Sequence, residues 1–192
     1  MTPLSRTSLI LVIGLAGFSA PRLLAQGPAT DSVEFADWRQ VHQRDVDILR
    51  QRFDALAHAI PADKLGWRPM EGTRSFHDVF AHIAAEGFTE PVAFGRPLPA
   101  GSLADFDAEE ARLRALPDDQ LIAAMDRAMV NLSSTIAGLS RAQMNTKISF
   151  FGGMAFPRAA VTYSLIDLHE HLGQLVSYAR MNQIVPPWSR RP

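Results

Sequence analysis

A chain of 192 residues, 47% hydrophobic and 20% charged with a formal net charge of −1, has the balance of an ordinary globular protein. Near-neutral charge, with no basic run longer than Arg190-Arg191, gives no electrostatic case for nucleic acid. Cysteine is absent, which excludes disulfides, thiolate zinc sites and cysteine nucleophiles, so any metal must be held by His and carboxylates.

Residues 1–25 read as a signal peptide. Arg6 supplies a positive start, Ser8–Phe18 a short apolar run, and Ala25 with Leu23 a cleavage site. The run is shorter than the ~18 residues expected of a spanning helix, and no Cys follows it to carry a lipid. A cysteine-free exported chain implies a bacterial periplasmic or secreted protein, with no membrane association after cleavage. Residues 26–37 read as a linker and 38–192 as one domain, with no internal repeat or low-complexity tract.

Within that domain, Trp38 to Ile60 has the apolar spacing of an amphipathic helix, with Val41, Val46, Ile48, Leu49, Phe53, Leu56 and Ile60 as its stripe and Pro61 as its stop. His42 and His58 lie on it without an acidic or His partner in register, as surface or partly buried polar residues. A turn-rich connection, Pro61–Pro69, leads to a second helix opened by Ser75 as N-cap, with Asp78 three residues on completing a capping box. Val79, Phe80, Ile83 and Phe88 supply its packing, and His82 sits among apolar neighbours.

Pro91–Ser102 is a Pro/Gly break long enough to border a site. Leu103–Leu116 reads as a short acidic helix whose Asp105, Asp107, Glu109 and Glu110 form a solvated face. Asp118–Leu139 is a third long helix with Leu121, Met125, Met129, Leu132 and Ile136 as its stripe. Lys147–Gly153 is a short extended passage, and Pro157 marks the start of the last helix. Four long helices and no convincing strand pair predict an all-α, up-down four-helix bundle with an additional short helix. Its loops are longer than a minimal bundle needs, leaving room for one connection to cross over.

The last helix carries the chemistry. Beside its apolar positions (Val161, Leu165, Leu168, Leu172, Leu175, Val176, Ala179), Asp167, Glu170, His171 and Gln174 form a polar stripe at i, i+3, i+4 and i+7. Asp167 and His171 are an i, i+4 pair able to share one ion, as are Asp78 and His82 on the second helix. If those helices face each other, the pairs converge inside the bundle. Three nitrogen or carboxylate donors with an open position are a catalytic arrangement, and imidazole with carboxylate suits Zn, Ni, Fe or Mn without choosing among them. The candidate metal ligands are thus drawn from Asp78, His82, Asp167 and His171, with Asp167 and His171 the preferred pair on the last helix. Glu170 is a candidate fourth ligand, general base or exposed acid. His169 lies about 200° around the helix from Asp167 and His171 and cannot join them at one ion; the rival arrangement makes it the ligand and Asp167 a surface acid.

Several motifs in order carry a family likeness: Leu65-Gly66-Trp67-Arg68-Pro69 before Ser75, Phe80-Ala81-His82, His171-Leu172-Gly173-Gln174 running into Tyr178-Ala179-Arg180-Met181-Asn182, and the tail Ile184-Val185-Pro186-Pro187-Trp188. From about Trp38 to Trp188 the chain resembles the DinB-like superfamily of bacterial four-helix-bundle proteins. That resemblance implies a divalent metal held by three His, one on the second helix and two at i, i+4 on the last. Here those places are His82, Asp167 and His171. Asp167 stands where many relatives have His, which would shift metal preference and Lewis acidity.

The resemblance also implies thiol-dependent transfer or isomerisation, or metal-dependent hydrolysis, on a small-molecule substrate, and often a homodimer. A cytosolic thiol fits an exported protein badly, which favours hydrolysis. The alternative is a non-catalytic binding or interaction bundle with a degenerate metal site, its polar stripe an internal hydrogen-bond network.

Overall fold

The computed structural model of the protein describes residues 33–189. The expected leader and most of the expected linker lie outside the described residues. Six helices, α1 (Val33–Ala59), α2 (Phe76–Ala93), α3 (Phe106–Arg114), α4 (Asp118–Gly138), α5 (Arg141–Met144) and α6 (Pro157–Met181), are joined by a small hairpin of β1 (Ile148–Phe150) and β2 (Gly153–Ala155). Among the described residues no helix is long and apolar enough to cross a membrane.

The four long helices α1, α2, α4 and α6 build the bundle around one core of Leu49, Phe53, Leu56, Phe76, Phe80, Ile83, Met125, Met129, Leu132 and their neighbours. Their order round the bundle is not their order in the chain. α4 packs against both α1 and α2, and α6 closes the ring by touching α1 and α2 over shorter stretches. Consecutive α1 and α2 therefore stand across a diagonal, as do α4 and α6. The connection from α1 to α2 makes the crossing that the long loops allow.

Helix starts follow local chemistry. At α2 the Ser75 hydroxyl accepts the Asp78 amide at 3.1 Å and the Asp78 carboxylate accepts the Ser75 amide at 2.9 Å, the reciprocal box expected from the sequence. Replacing Ser75 with Ala is expected to cost about 1 kcal/mol, read as a lower urea midpoint at unchanged slope. α1 starts at Val33 rather than Trp38, so residues 33–37 of the expected linker are helical, and Phe35 is buried in the core. Val41 and Ile48, expected in the buried stripe, face outward: they fall off the 46–49–53–56–60 register.

α2 runs through Pro91, where the sequence suggests a break. Proline has no amide to offer the carbonyl four residues back, and that carbonyl, on Gly87, instead accepts the Asn131 carboxamide of α4 at 2.9 Å. The two helices can come this close because residue 87 has no side chain. A Cβ there would meet Ala128 carbonyl and Cβ atoms at 2.7–2.8 Å.

The connection before α2 is held by aromatic packing. Trp67 lies 5.5 Å from the Tyr178 ring and 6.0 Å from Phe76, tying the 65–69 motif to the end of α6. The 147–153 passage forms the hairpin, paired Ile148 with Ala155 and Phe150 with Gly153 around a two-residue turn, Phe151-Gly152.

Candidate metal centre

α2 and α6 face each other, and each contributes one His and one acid a turn apart. His82 and Glu86 come from α2, Asp167 and His171 from α6. One ligand atom from each lies within 4.8 Å of every other. The two imidazole rings meet edge to face at 4.8 Å between centroids. Glu86 Oε1 sits between them, 3.2 Å from His82 Nε2 and 3.8 Å from His171 Nε2, while Asp167 Oδ2 is 3.4 Å from His171 Nε2. His82, Asp167 and His171 thus converge as the sequence predicts.

Glu86 is the member that sequence reasoning missed. It had a signal, the i, i+4 spacing from His82, but it sits in an apolar run (Ala84, Ala85, Gly87, Phe88) where a lone acid is ordinarily assigned to solvent. The acid weighed instead, Asp78, is the α2 cap and pairs with Arg68 and Arg114. Glu170, the candidate fourth ligand, general base or exposed acid, is exposed and is not one of the four residues that converge; from His171 it is one residue, about 100°, round the helix. His169 is also exposed and binds Asp45 of α1 at 3.1 Å, so the rival ligand arrangement is not the one formed.

Outer partners orient both imidazoles. His82 Nδ1 is 3.1 Å from Glu110 Oε2 and 3.0 Å from Arg74 Nη2; bonding to the carboxylate makes Nδ1 the donor and leaves Nε2 to the cluster. Glu110 is itself bridged by Arg114. This corrects the reading of α3 as a solvated acidic face: Glu110 is 6% exposed and Glu109, clamped by Arg112 and the Leu103 amide, is 0% exposed. On His171 the Gln174 carboxamide oxygen lies 3.3 Å from Nδ1, and the Gln174 amide donates to the Tyr178 hydroxyl at 2.8 Å.

The electrostatics of the group are those of crowded acids. Burial pushes the Glu86 carboxyl up to about 11, helped by its hydrogen bond with Asp167 and the negative charges of Glu90 and Asp167. Asp167 moves down, chiefly because it receives the hydrogen bond from Glu86. Burial lowers His82, favouring the neutral imidazole that a metal requires, with Arg74 and His171 adding to the effect. For Glu110, burial alone would raise the carboxyl, but the hydrogen bond from His82 and the nearby arginines outweigh it and leave it lowered.

Two buried atoms of the group, Glu86 Oε2 and His171 Nε2, have no hydrogen-bond partner. Native proteins rarely leave such atoms unpaired. Two imidazole nitrogens and two carboxylates around one point suit a divalent ion in both donor type and charge.

The sequence profile of the DinB superfamily matches residues 46–175, a span that contains all four residues of the group. The chain belongs to the DinB superfamily. A solved structure of a candidate DinB-family member from Exiguobacterium sibiricum 255-15 is similar over 81% of this chain and 96% of that one, with a TM-score of 0.55 and 20% identity, a likeness of fold. No curated protein matches. The family connection accounts for the bundle and for the motifs that flank it. Against the three His implied by the sequence resemblance, this DinB-superfamily chain presents two His and two acids.

One turn beyond Glu86, Glu90 is buried and pushed up to about 7, first by burial and then by the Asp167 charge, against the opposing hydrogen bond from Ser164. Below pH 4.5 this carboxyl is protonated folded and unfolded alike and does not affect stability. From pH 4.5 to about 7 the unfolded chain releases the proton while the folded one keeps it, so stability falls as pH rises, by up to about 3 kcal/mol in all. Urea midpoints of chelator-treated protein at pH 5 and pH 8 are therefore expected to separate less in Glu90→Gln than in the wild type.

Proposed function

We propose that this DinB-superfamily protein is an exported hydrolase that uses a divalent cation held between α2 and α6. The observation that carries the metal reading is the convergence of His82, Glu86, Asp167 and His171, two of whose buried ligand atoms, Glu86 Oε2 and His171 Nε2, lack a geometrically formed hydrogen bond. When bound, Zn, Ni, Fe or Mn would supply Lewis acidity toward a substrate oxygen or water.

The chain's own residues do the rest. Glu110 fixes the His82 ring with Nε2 turned toward Glu86, and Gln174 does the same for His171 from its Nδ1 side. Glu86 holds a proton at the centre of the group and gives it up on becoming a ligand. Arg74, bonded to His82 and ion-paired with Glu110 at 3.6 Å, sets a positive charge near negative charge developing on a substrate. Asp167 is the most exposed member of the group and opens it to water.

Support for export comes from the leader-like residues 1–25, and the mass of the mature chain tests it: cleavage after Ala25 is expected. Hydrolysis is tested on chelator-treated, untagged protein with chromogenic esters, amides and phosphoesters. Turnover is expected only after a divalent ion is restored, with kcat lowered at least about 100-fold in Glu86→Gln. Turnover by loaded protein only when a low-molecular-weight thiol is added would replace hydrolase by thiol-dependent transferase. Equal turnover with and without the ion would remove the metal-dependent reading.

A further inference from the structure

Beside the metal centre lies a cavity of about 330 Å³, lined by Thr89, Glu90, Ala93, Phe106, Ser149, Phe150 and Phe151. It shares a wall with the four-residue group, because the Phe106 ring that lines it also stands edge-on to His82 at 5.3 Å. Glu90 is the acidic member of its lining. The carboxylate is 8% exposed; Oε2 accepts the Ser164 hydroxyl at 2.6 Å, and Oε1 is buried with no hydrogen-bond partner. No basic side chain among the described residues is seen to pair with it. A half-satisfied buried carboxyl is costly and calls for a donor from outside the fold.

The other walls restrict what that donor is attached to. Three phenylalanines line the cavity with Glu90, and Thr89 spends its hydroxyl on the Ala85 carbonyl at 2.8 Å. Phe151 holds its place at a conformational cost: its φ is 46° and that of Gly152 is 73°, a hairpin turn with both central residues left-handed, where Asn or Gly is the usual first residue. For a phenylalanine that left-handed conformation is strained. The ring remains 62% exposed, leaning on Phe150 at 4.7 Å and Tyr163 at 5.1 Å, so core burial does not explain its presence.

An anionic ligand here would meet Glu90 with Glu86 and Asp167 behind it. A wholly apolar one would leave Oε1 unpaired. A cation is favoured by the carboxylate and by the aromatic faces together.

We propose that this cavity is the substrate pocket of the metal centre and takes a small protonated amine with an aromatic or apolar body, the ammonium donating to Glu90 and the body lying among Phe106, Phe150 and Phe151. The proposal rests on the metal-dependent reading for its catalytic meaning, while the binding itself does not require the ion.

The test uses benzylamine, benzyl alcohol and benzoate as probes, titrated by NMR into the full-length protein, metal-loaded and chelator-treated, with metal content measured on each sample. Benzylamine is expected to bind both forms at least 10-fold more tightly than benzyl alcohol, and benzoate not to bind. Glu90→Gln should weaken benzylamine at least 10-fold without loss of metal. Phe151→Ala, at an exposed position where folding is not at stake, should weaken it about 3-fold or more. Equal binding of benzylamine to wild type and Glu90→Gln, or none to metal-loaded wild type, overturns the proposal and leaves the metal reading standing. Binding only to loaded protein and indifferent to Glu90→Gln means that the amine ligates the ion, and likewise overturns it. Benzylamine bound through Glu90 by a protein with no affinity for divalent ions supports the pocket and removes the metal reading.

Discussion

His171→Ala is expected to leave the protein unable to retain a divalent cation. Untagged wild-type protein should carry about one ion per chain by elemental analysis, and the variant essentially none, with affinity lowered more than about 100-fold. The basis is the position of His171: its Nε2 is buried, has no hydrogen-bond partner, and points at both carboxylates of the group. Changes to groups that merely orient a ligand cost 10–100-fold, so deleting a donor should cost more. The same ion should stabilise the fold, because an ion at 100 times its dissociation constant adds about 2.7 kcal/mol. That corresponds to a rise in Tm of roughly 5–10 °C for a chain of this size, present in the wild type and absent in the variant. Wild-type protein with no ion and no Tm response to Zn, Ni, Fe or Mn would contradict the centre itself.

Gly87→Ala is expected to lower stability by about 2–3 kcal/mol or more, against the ordinary sign of that substitution. In an unconstrained helix, Ala in place of Gly adds about 1 kcal/mol. Position 87 is different because the new methyl would lie 2.7 Å from the Ala128 carbonyl carbon and oxygen. Backbone cannot rotate away, so α2 and α4 must separate, which costs packing along their whole contact. The separation also breaks the bond from Asn131 to the Gly87 carbonyl that Pro91 leaves without a helical partner. Gly173→Ala is the matched control. Nothing lies within 4 Å of the corresponding Cβ on α6, so the same substitution should raise stability by up to about 1 kcal/mol. Opposite signs in urea denaturation are the expected result; stabilisation at both positions would refute the close-approach account. Because Glu86 adjoins Gly87, the residual folded fraction of Gly87→Ala should also bind its ion more weakly.

Much of this was legible in the chain because it is written locally. The Ser75 and Asp78 cap, the start at Pro157 and the buried stripes of α4 and α6 each depend on residues within a turn or two of one another. Asp167 and His171 are legible by the same means, since i, i+4 spacing fixes which side chains share a face; on α2 that spacing offered Asp78 with His82, and it is the family resemblance that singles out His82 with the other two. What escaped depends on partners far along the chain. Glu86 and Glu110 look like solvent-facing acids until α6 and Arg74 are brought beside them, and burial of a charge is decided by those partners, not by its neighbours in sequence. Ring order escaped for a related reason: helix periodicity says which face is buried but not against which helix. Pro91 read as a break because the carbonyl it strands is rescued from α4, 40 residues on by sequence and invisible to local chemistry.

The asymmetry of the bundle bears on how ion loading would be felt. α4 is the shared buttress of α1 and α2, whereas α6 meets α2 over a shorter seam that contains the two acids and two imidazoles. Without a cation that seam is joined by the protonated Glu86 and its hydrogen bond to Asp167; with one it would become a clasp. Hydrogen–deuterium exchange should therefore slow on loading along the middle of α6, around Ser164 to Leu175, and on the facing turns of α2, while amides at the α1–α4 contact keep their pace. An ion held there would tie the middle of α6 to α2, the pairing with the shorter contact in the bundle.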